Sequence, residues 1–256
     1  LELLLGVSEQ PPSVTARQAL ATMNGREEMT QSLRDRGLVT LAGEIESCRR
    51  CPRLVDWREQ VAREKRAAHA GETYWGRPVA GFGDAGARVA ILGLAPGAHG
   101  ANRTGRVFTG DRSGEFLFAG LWRAGLANQP TSRSRGDGLR LRGVWVTAAV
   151  RCAPPANRPS RQERDRCLPF ARRELALLNE LRVILCLGAF AWEAALALLA
   201  PAQRPRPRFA HGAELLSDSG PALLASFHVS QQNTFTGRLT EAMFDAVLAR
   251  AIELAG

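Results

Sequence analysis

Four short apolar runs constrain this chain more than any other feature. They are Arg88–Leu94, Val144–Ala149, Val183–Leu187 and Ala222–Phe227. Each is β-rich or apolar throughout instead of alternating, which is the pattern of a strand covered on both faces. Each runs into a loop that carries Gly, Pro or His. Helical stretches lie between and after them, over Ser113–Ala124, Ser160–Leu181, Phe190–Leu199 and Thr240–Leu254. The last places Phe244, Val247, Leu248, Ala251 and Leu254 on one apolar face. Strand–helix alternation predicts an α/β fold, a three-layer α/β/α sandwich around a short, mostly parallel central sheet of about four strands. Ligands of such a sheet gather beyond the carboxyl ends of its strands.

With 256 residues, 45% of them hydrophobic, the chain can fill one large core of this kind. Residues 1–37 are polar, include Pro11-Pro12, and read as a partly disordered extension; 38–256 read as a single domain. Leu38–Glu46 suits a short helix leading into Cys48. Gln129–Arg142, with four arginines, and the Pro/Arg-rich Pro201–Gly212 read as surface loops. No apolar run is long enough to span a membrane, which takes about 18 residues. The start, Leu1 to Leu5, lacks the basic flank of a signal peptide. The expectation is a cytoplasmic, nucleoid-associated prokaryotic protein, monomeric and without a membrane partner.

The formal net charge is +9, which favours a polyanionic partner. Lys65 is the single lysine, as codon bias in a GC-rich genome would give. That bias explains Arg over Lys. It does not explain the excess of bases over acids.

An odd number of cysteines, at 48, 51, 152, 167 and 186, argues against a disulfide framework. Cys186 lies inside an apolar run and reads as a buried strand residue. Cys48-Arg49-Arg50-Cys51 is a C-x2-C pair, and Cys167 follows Cys152 by fifteen residues. Four thiolates hold either zinc or an iron–sulfur cluster. The second pair lacks the C-x2-C knuckle of a zinc ribbon, and that asymmetry favours a cluster. Four cysteine ligands leave no open position, so its role would be that of a staple.

Three polar loops leave the predicted strands at one edge. The first, Gly93 to Asp111, is rich in glycine but is neither G-x-G-x-x-G nor G-x4-G-K-[ST]. The second runs from Cys152 to Pro159 and the third from Phe227 to Asn233. Together they supply Asp111, Asn157 and His228. Each has a plain alternative: Asp111 as the cap of the helix at Ser113, Asn157 as a turn residue, His228 as a loop histidine. Two other functional classes fit parts of the sequence. A nucleotide-binding α/β protein would use the Gly-rich loop for phosphate, but no lysine stands near it. A non-enzymatic nucleic-acid module explains charge and cysteines but not three polar loops at one edge.

The loop Gly93-Leu94-Ala95-Pro96-Gly97-Ala98-His99-Gly100-Ala101-Asn102-Arg103-Thr104-Gly105-Arg106-Val107-Phe108-Thr109-Gly110-Asp111, with the four cysteines and the loop at His228, resembles the iron–sulfur branch of the uracil-DNA glycosylase superfamily. It is similar to the family 5, or B-type, form; family 4 carries an acid where Leu94 stands. The resemblance spans roughly residues 44–252. It implies a monofunctional DNA glycosylase of base excision repair, hydrolysing the N-glycosidic bond of uracil flipped out of DNA. It implies a 4Fe–4S cluster on Cys48, Cys51, Cys152 and Cys167. It implies catalysis by Asp111, Asn157 and His228, with Phe108 stacked on the base. Gly93, Leu94, Ala95, Pro96, Gly97, His99 and Asn102 would line the base, and Arg103, Arg106, Arg158, Gln231, Gln232, Asn233 and Arg238 would contact DNA. Two departures stand out. Val229 occupies a position where many relatives have Pro. Ala148 stands where related families place a uracil-reading Asn, so hypoxanthine or xanthine would also be accepted. Lys65, in a charged run, gives no reason to expect a lyase step.

Overall fold

The computed structural model describes residues 32–200, 202 and 205–256. The expectation for residues 1–37 therefore lies mostly outside the described residues, as do three positions of the predicted loop 201–212. Six strands form one sheet in the order β1-β3-β2-β4-β6-β5. The central four are β2 (Val89–Gly93), β3 (Val144–Ala148), β4 (Val183–Leu187) and β6 (Ala222–Ser226), all parallel. The other two, β1 (Phe82–Gly83) and β5 (Glu214–Leu215), are two-residue antiparallel edges. The mostly parallel α/β sandwich expected from the sequence is what forms, with each central strand within two residues of its predicted span.

Helices cover both faces because alternate strand residues point opposite ways. On one face Val89, Ile91, Val146 and Leu185 pack with α4 (Arg112–Arg123) and α8 (Glu241–Ala255). On the other, Ala90, Leu92, Ile184 and Cys186 pack with α5 (Arg161–Leu177) and α6 (Ala189–Leu199). Cys186 is buried in that second core as predicted, and burial pushes its thiol pKa up. The helix α5 opens on a capping box, Ser160 with Glu163.

A third, smaller cluster ties the N-terminal helices to this sandwich. Helix α1 spans 32–46, starting six residues before its predicted span. It is followed by α2 (Pro52–Glu64), a helix beyond those expected from the sequence. Pro52 occupies the first turn, where its missing N–H costs nothing. Leu41, Ile45 and Leu54 meet Cys51, Cys152, Cys167 and Phe170 there. The remaining helices are short: α3 (Ala101–Thr104) and α7 (Gln231–Phe235). No described helix is long and apolar enough to cross a membrane.

From β2 the chain moves to β3 on one side and then to β4 on the other. Connections leaving in opposite directions open a crevice at the carboxyl ends of the strands.

Candidate functional site

A cavity of about 600 Å³ opens there. It is lined by Leu94, Ala95, Gly97, Phe108 and Asp111 from the loop after β2, Asn157 and Arg158 after β3, and His228, Gln231 and Gln232 after β6. The three polar loops thus meet, and they bring Asp111, Asn157 and His228 around one space.

The backbone around this space is unusual. Among the described non-glycine residues with positive φ, three line the cavity: Phe108 at 50°, Ala156 at 52° and Asn157 at 55°. Each such residue costs on the order of 1–3 kcal/mol and persists only where its surroundings impose it. For Phe108 the reason is visible. Its ring lies against Gly93, where a Cβ would come within 2.6 Å of Phe108 Cζ. Glycine at the end of β2 is therefore what lets the aromatic lie over the strand terminus. The Phe108 and His228 rings are 6.3 Å apart at 36°.

Asp111 caps a helix and also lines the cavity. Its Oδ1 accepts from Gly114 N at 3.0 Å and caps α4, which starts at Arg112. Its Oδ2 lies against Gly97 and Gly100. Burial raises its pKa, while the backbone N–H groups of Gly114 and Ser113 pull it back. His228 has its pKa pushed down to about 4 by burial, so its imidazole is neutral at pH 7. Asn233 holds it, donating from Nδ2 to the His228 carbonyl at 2.8 Å. The segment carrying Asn157 is anchored by Arg53, whose Nη2 donates to the Arg158 carbonyl at 3.2 Å and pairs with Glu163.

Several residues expected at the base or on DNA are placed elsewhere. His99 turns from the cavity to Tyr74, its Nδ1 3.1 Å from the hydroxyl. Asn102 is buried and donates to the carbonyls of Arg58 and Ala98. Pro96 is buried behind the loop. Arg106 is only 7% exposed; its guanidinium meets Asp137 at 2.7 Å, Ser132 and Thr109. Asp137 is itself held below the usual carboxylate range; burial opposes this, and Arg106 with three backbone N–H groups outweighs it. Arg103 donates to the His99 and Gly110 carbonyls and pairs with Glu72. Both arginines brace the loop from within, so the expected DNA contacts do not fit these two. Arg238 is exposed, over the Phe227 ring at 4.7 Å. Ala148 is buried at the end of β3, beside Gly93 in register.

Cys48, Cys51, Cys152 and Cys167 line one small, largely apolar pocket at the start of α2. Arg58, 2% exposed, was not singled out from the sequence. Its Nη1 donates to Cys152 Sγ at 3.0 Å and to the Cys48 carbonyl at 3.3 Å. The Arg151 N–H points at Cys167 Sγ from 3.4 Å. Without a metal, burial holds the Cys152 thiol at about 12. Among the described residues no three His, Cys, Asp or Glu form a group that could hold a metal ion as placed. A mononuclear zinc site would need its sulfurs about 2.3 Å from one point. Four thiols, two of them facing a buried guanidinium and a backbone N–H, are a donor set whose chemistry suits an anionic iron–sulfur group.

The sequence profile of the uracil DNA glycosylase superfamily matches residues 80–251, spanning the sheet and all three loops. The chain belongs to this superfamily. A type-5 uracil-DNA glycosylase of Mycobacterium tuberculosis is 54% identical over 213 residues, covering 83% of this chain and 80% of the relative. One from Thermus thermophilus is 55% identical over 212 residues, 83% of this chain and 95% of its own length. A type-4 uracil-DNA glycosylase of Pyrobaculum aerophilum is 35% identical over only 122 residues, 47% of this chain and 54% of the relative. The family 5 resemblance drawn from the first loop stands.

Proposed function

We propose that this superfamily member is a monofunctional DNA glycosylase that extrudes uracil and hydrolyses its N-glycosidic bond. The observation that carries the reading is the convergence of Phe108, Asp111, Asn157 and His228 on one cavity at the strand carboxyl ends. A base must leave the duplex before any side chain can reach its glycosidic bond. Phe108, already held over Gly93, supplies a face on which the extruded ring stacks. Neutral His228 donates a hydrogen bond to O2 as negative charge develops on the departing base. Asp111 Oδ2 and Asn157 place the water or the cationic sugar between them. Lys65 does not line the cavity and gives its Nζ to the Ala70 carbonyl at 3.2 Å, which leaves no ε-amine for a Schiff base. The protein would act as a monomer on nucleoid DNA.

No strand amide reads the base edge, since Ala148 is buried there. Discrimination then rests on cavity shape and on how readily a base unstacks, which is less stringent than a set of dedicated hydrogen bonds. Release of uracil, hypoxanthine and xanthine from single- and double-stranded oligonucleotides tests the proposal. Uracil is expected fastest and the other two slower. No release of any base would sink the glycosylase reading, and strict uracil specificity would remove only the broader range.

The wedge that replaces the extruded base is assigned to Phe235 on α7. Its side chain is 65% exposed, one turn beyond Gln231 and Gln232 at the cavity, with Arg112 over its ring at 5.4 Å. Unstacking costs a few kcal/mol and arises only in a duplex. Phe235→Ala is therefore expected to slow release from duplex about tenfold and leave single-stranded substrate nearly unchanged. Equal loss on both substrates would show that Phe235 acts elsewhere.

A 4Fe–4S cluster on Cys48, Cys51, Cys152 and Cys167 is part of the proposal. When bound, it would supply a rigid cross-link between α2 and the loop after β3, not a reactive centre. Anaerobically purified protein should be brown, with iron and sulfide near about four each per chain. Cys167→Ser should lose the chromophore and Cys186→Ser keep it. Stoichiometric zinc in a colourless protein would contradict this.

A further inference from the structure

A second cavity, of about 570 Å³, lies between α1, α2 and the segment around Trp75. It is lined by Arg49, Arg63, Arg77, Glu46 and Glu59, with Trp75 in its wall. Two guanidinium groups sit on that tryptophan: Arg77 at 5.4 Å and Arg135 at 4.6 Å from the ring centroid. The carboxylates are already engaged, Glu59 by Arg49 and Glu46 by Arg135 at 3.5 Å. Arg63 and Arg77 are exposed and have no carboxylate partner among the described residues. The groove therefore carries uncompensated positive charge, part of it held in place by an aromatic plate.

Its backbone is tied to the loop that walls the base cavity. Trp75 N–H donates to the Arg103 carbonyl at 2.9 Å, and Gly76 N–H to the Asn102 carbonyl at 3.0 Å. Gly105, at φ 76°, lies beneath the plate; a Cβ there would come within 2.9 Å of Trp75 Cδ2. One loop thus presents Phe108 and Asp111 to one cavity and supports Trp75 and its arginines at the other.

We infer that this groove is a second nucleic-acid contact, in which Arg63 and Arg77 hold phosphodiesters of the strand flanking the extruded nucleotide. The inference rests on the glycosylase reading for its ligand, and charge complementarity selects the DNA backbone. Cations pinned before binding lose less side-chain freedom on meeting phosphate than free ones. The contact is independent of sequence and shows in salt dependence.

The test measures affinity for an undamaged duplex from low to moderate salt. Each phosphate contact adds about 0.9 to the slope of log K against log salt. Arg63→Gln with Arg77→Gln is expected to lower the slope by about two, and each single variant by about one. Arg182→Gln, an exposed site just before β4 and so at the amino edge of the sheet, serves as the control and should change neither slope nor affinity. Turnover at saturating short single-stranded uracil substrate should match wild type in all four. An unchanged slope in the double and both single variants overturns the groove, as does an equal drop in Arg182→Gln. If wild type releases no base from any substrate, the glycosylase reading fails, and the slopes still report on the groove.

Discussion

His228→Ala is expected to lower the rate of uracil release by about 10² to 10³ while leaving affinity for uracil-containing DNA within a few-fold of wild type. The expectation follows from where charge appears. The intact base is neutral, and its O2 gains a full hydrogen-bond demand only as the glycosidic bond breaks. A donor fixed in a buried site therefore contributes mainly in the transition state. Single-turnover rates at saturating enzyme separate this from weakened binding. A large rise in Kd with an unchanged rate would assign His228 to ground-state binding instead.

The same residue gives a pH signature. Burial disfavours the imidazolium, placing the folded pKa near 4, below an unfolded value of about 6.5. Between those values the unfolded chain binds the extra proton. The contribution of His228 to stability is thus complete above pH ~6.5 and lost as pH falls toward 4. Ring ¹⁵N shifts of His228 should report a neutral imidazole from pH 6 to pH 8 with no titration step. A midpoint near the ordinary histidine value would remove the neutral-donor role. His99 and His211 are also lowered by burial, so thermal stability in acid needs the His228→Asn comparison to isolate this component.

What was readable in the sequence follows from what local physics controls. The four central strands are covered on both faces, so they appear as unbroken apolar runs. The two edge strands are only two residues long and leave no periodic signal. The loops announced Asp111, Asn157 and His228 because glycine, proline and polar residues follow directly on buried strands. Arg103 and Arg106 were misplaced because an arginine in a glycine-rich loop looks like a phosphate ligand. The partner that neutralises Arg106, Asp137, stands 31 residues away, a pairing only the tertiary fold creates. Helix α2 leaves only a weak trace in the sequence: Pro52 at its start, then Leu54, Val55, Arg58 and Val61 on one buried face. A charged residue at position 58 broke the apolar pattern, and the sulfur it serves is 94 residues distant.

The second large effect is expected from Glu174→Gln, which should cost about 3–5 kcal/mol of folding stability. Arg151 and Glu174 are 1% and 2% exposed and meet at 2.7 Å between β3 and α5. Thr147 joins them, donating to Glu174 and accepting from Arg151. Gly81 N–H adds a fourth contact to Glu174 Oε1 at 3.0 Å. Glutamine keeps the shape but leaves the Arg151 guanidinium buried without a counter-charge, and desolvation of that charge is what the variant exposes. Arg151 also precedes Cys152, and its N–H faces Cys167 Sγ, so slackening here should loosen the cysteine site as well. Urea unfolding gives the stability loss, and the rate at which a chelator bleaches the chromophore of the proposed cluster gives the second readout. Replacing both partners, as Arg151→Met with Glu174→Met, should recover most of the stability, because two apolar chains leave no uncompensated charge. A Glu174→Gln protein within about 1 kcal/mol of wild type would mean that water reaches the guanidinium and that the pair is not the buried strut it forms here.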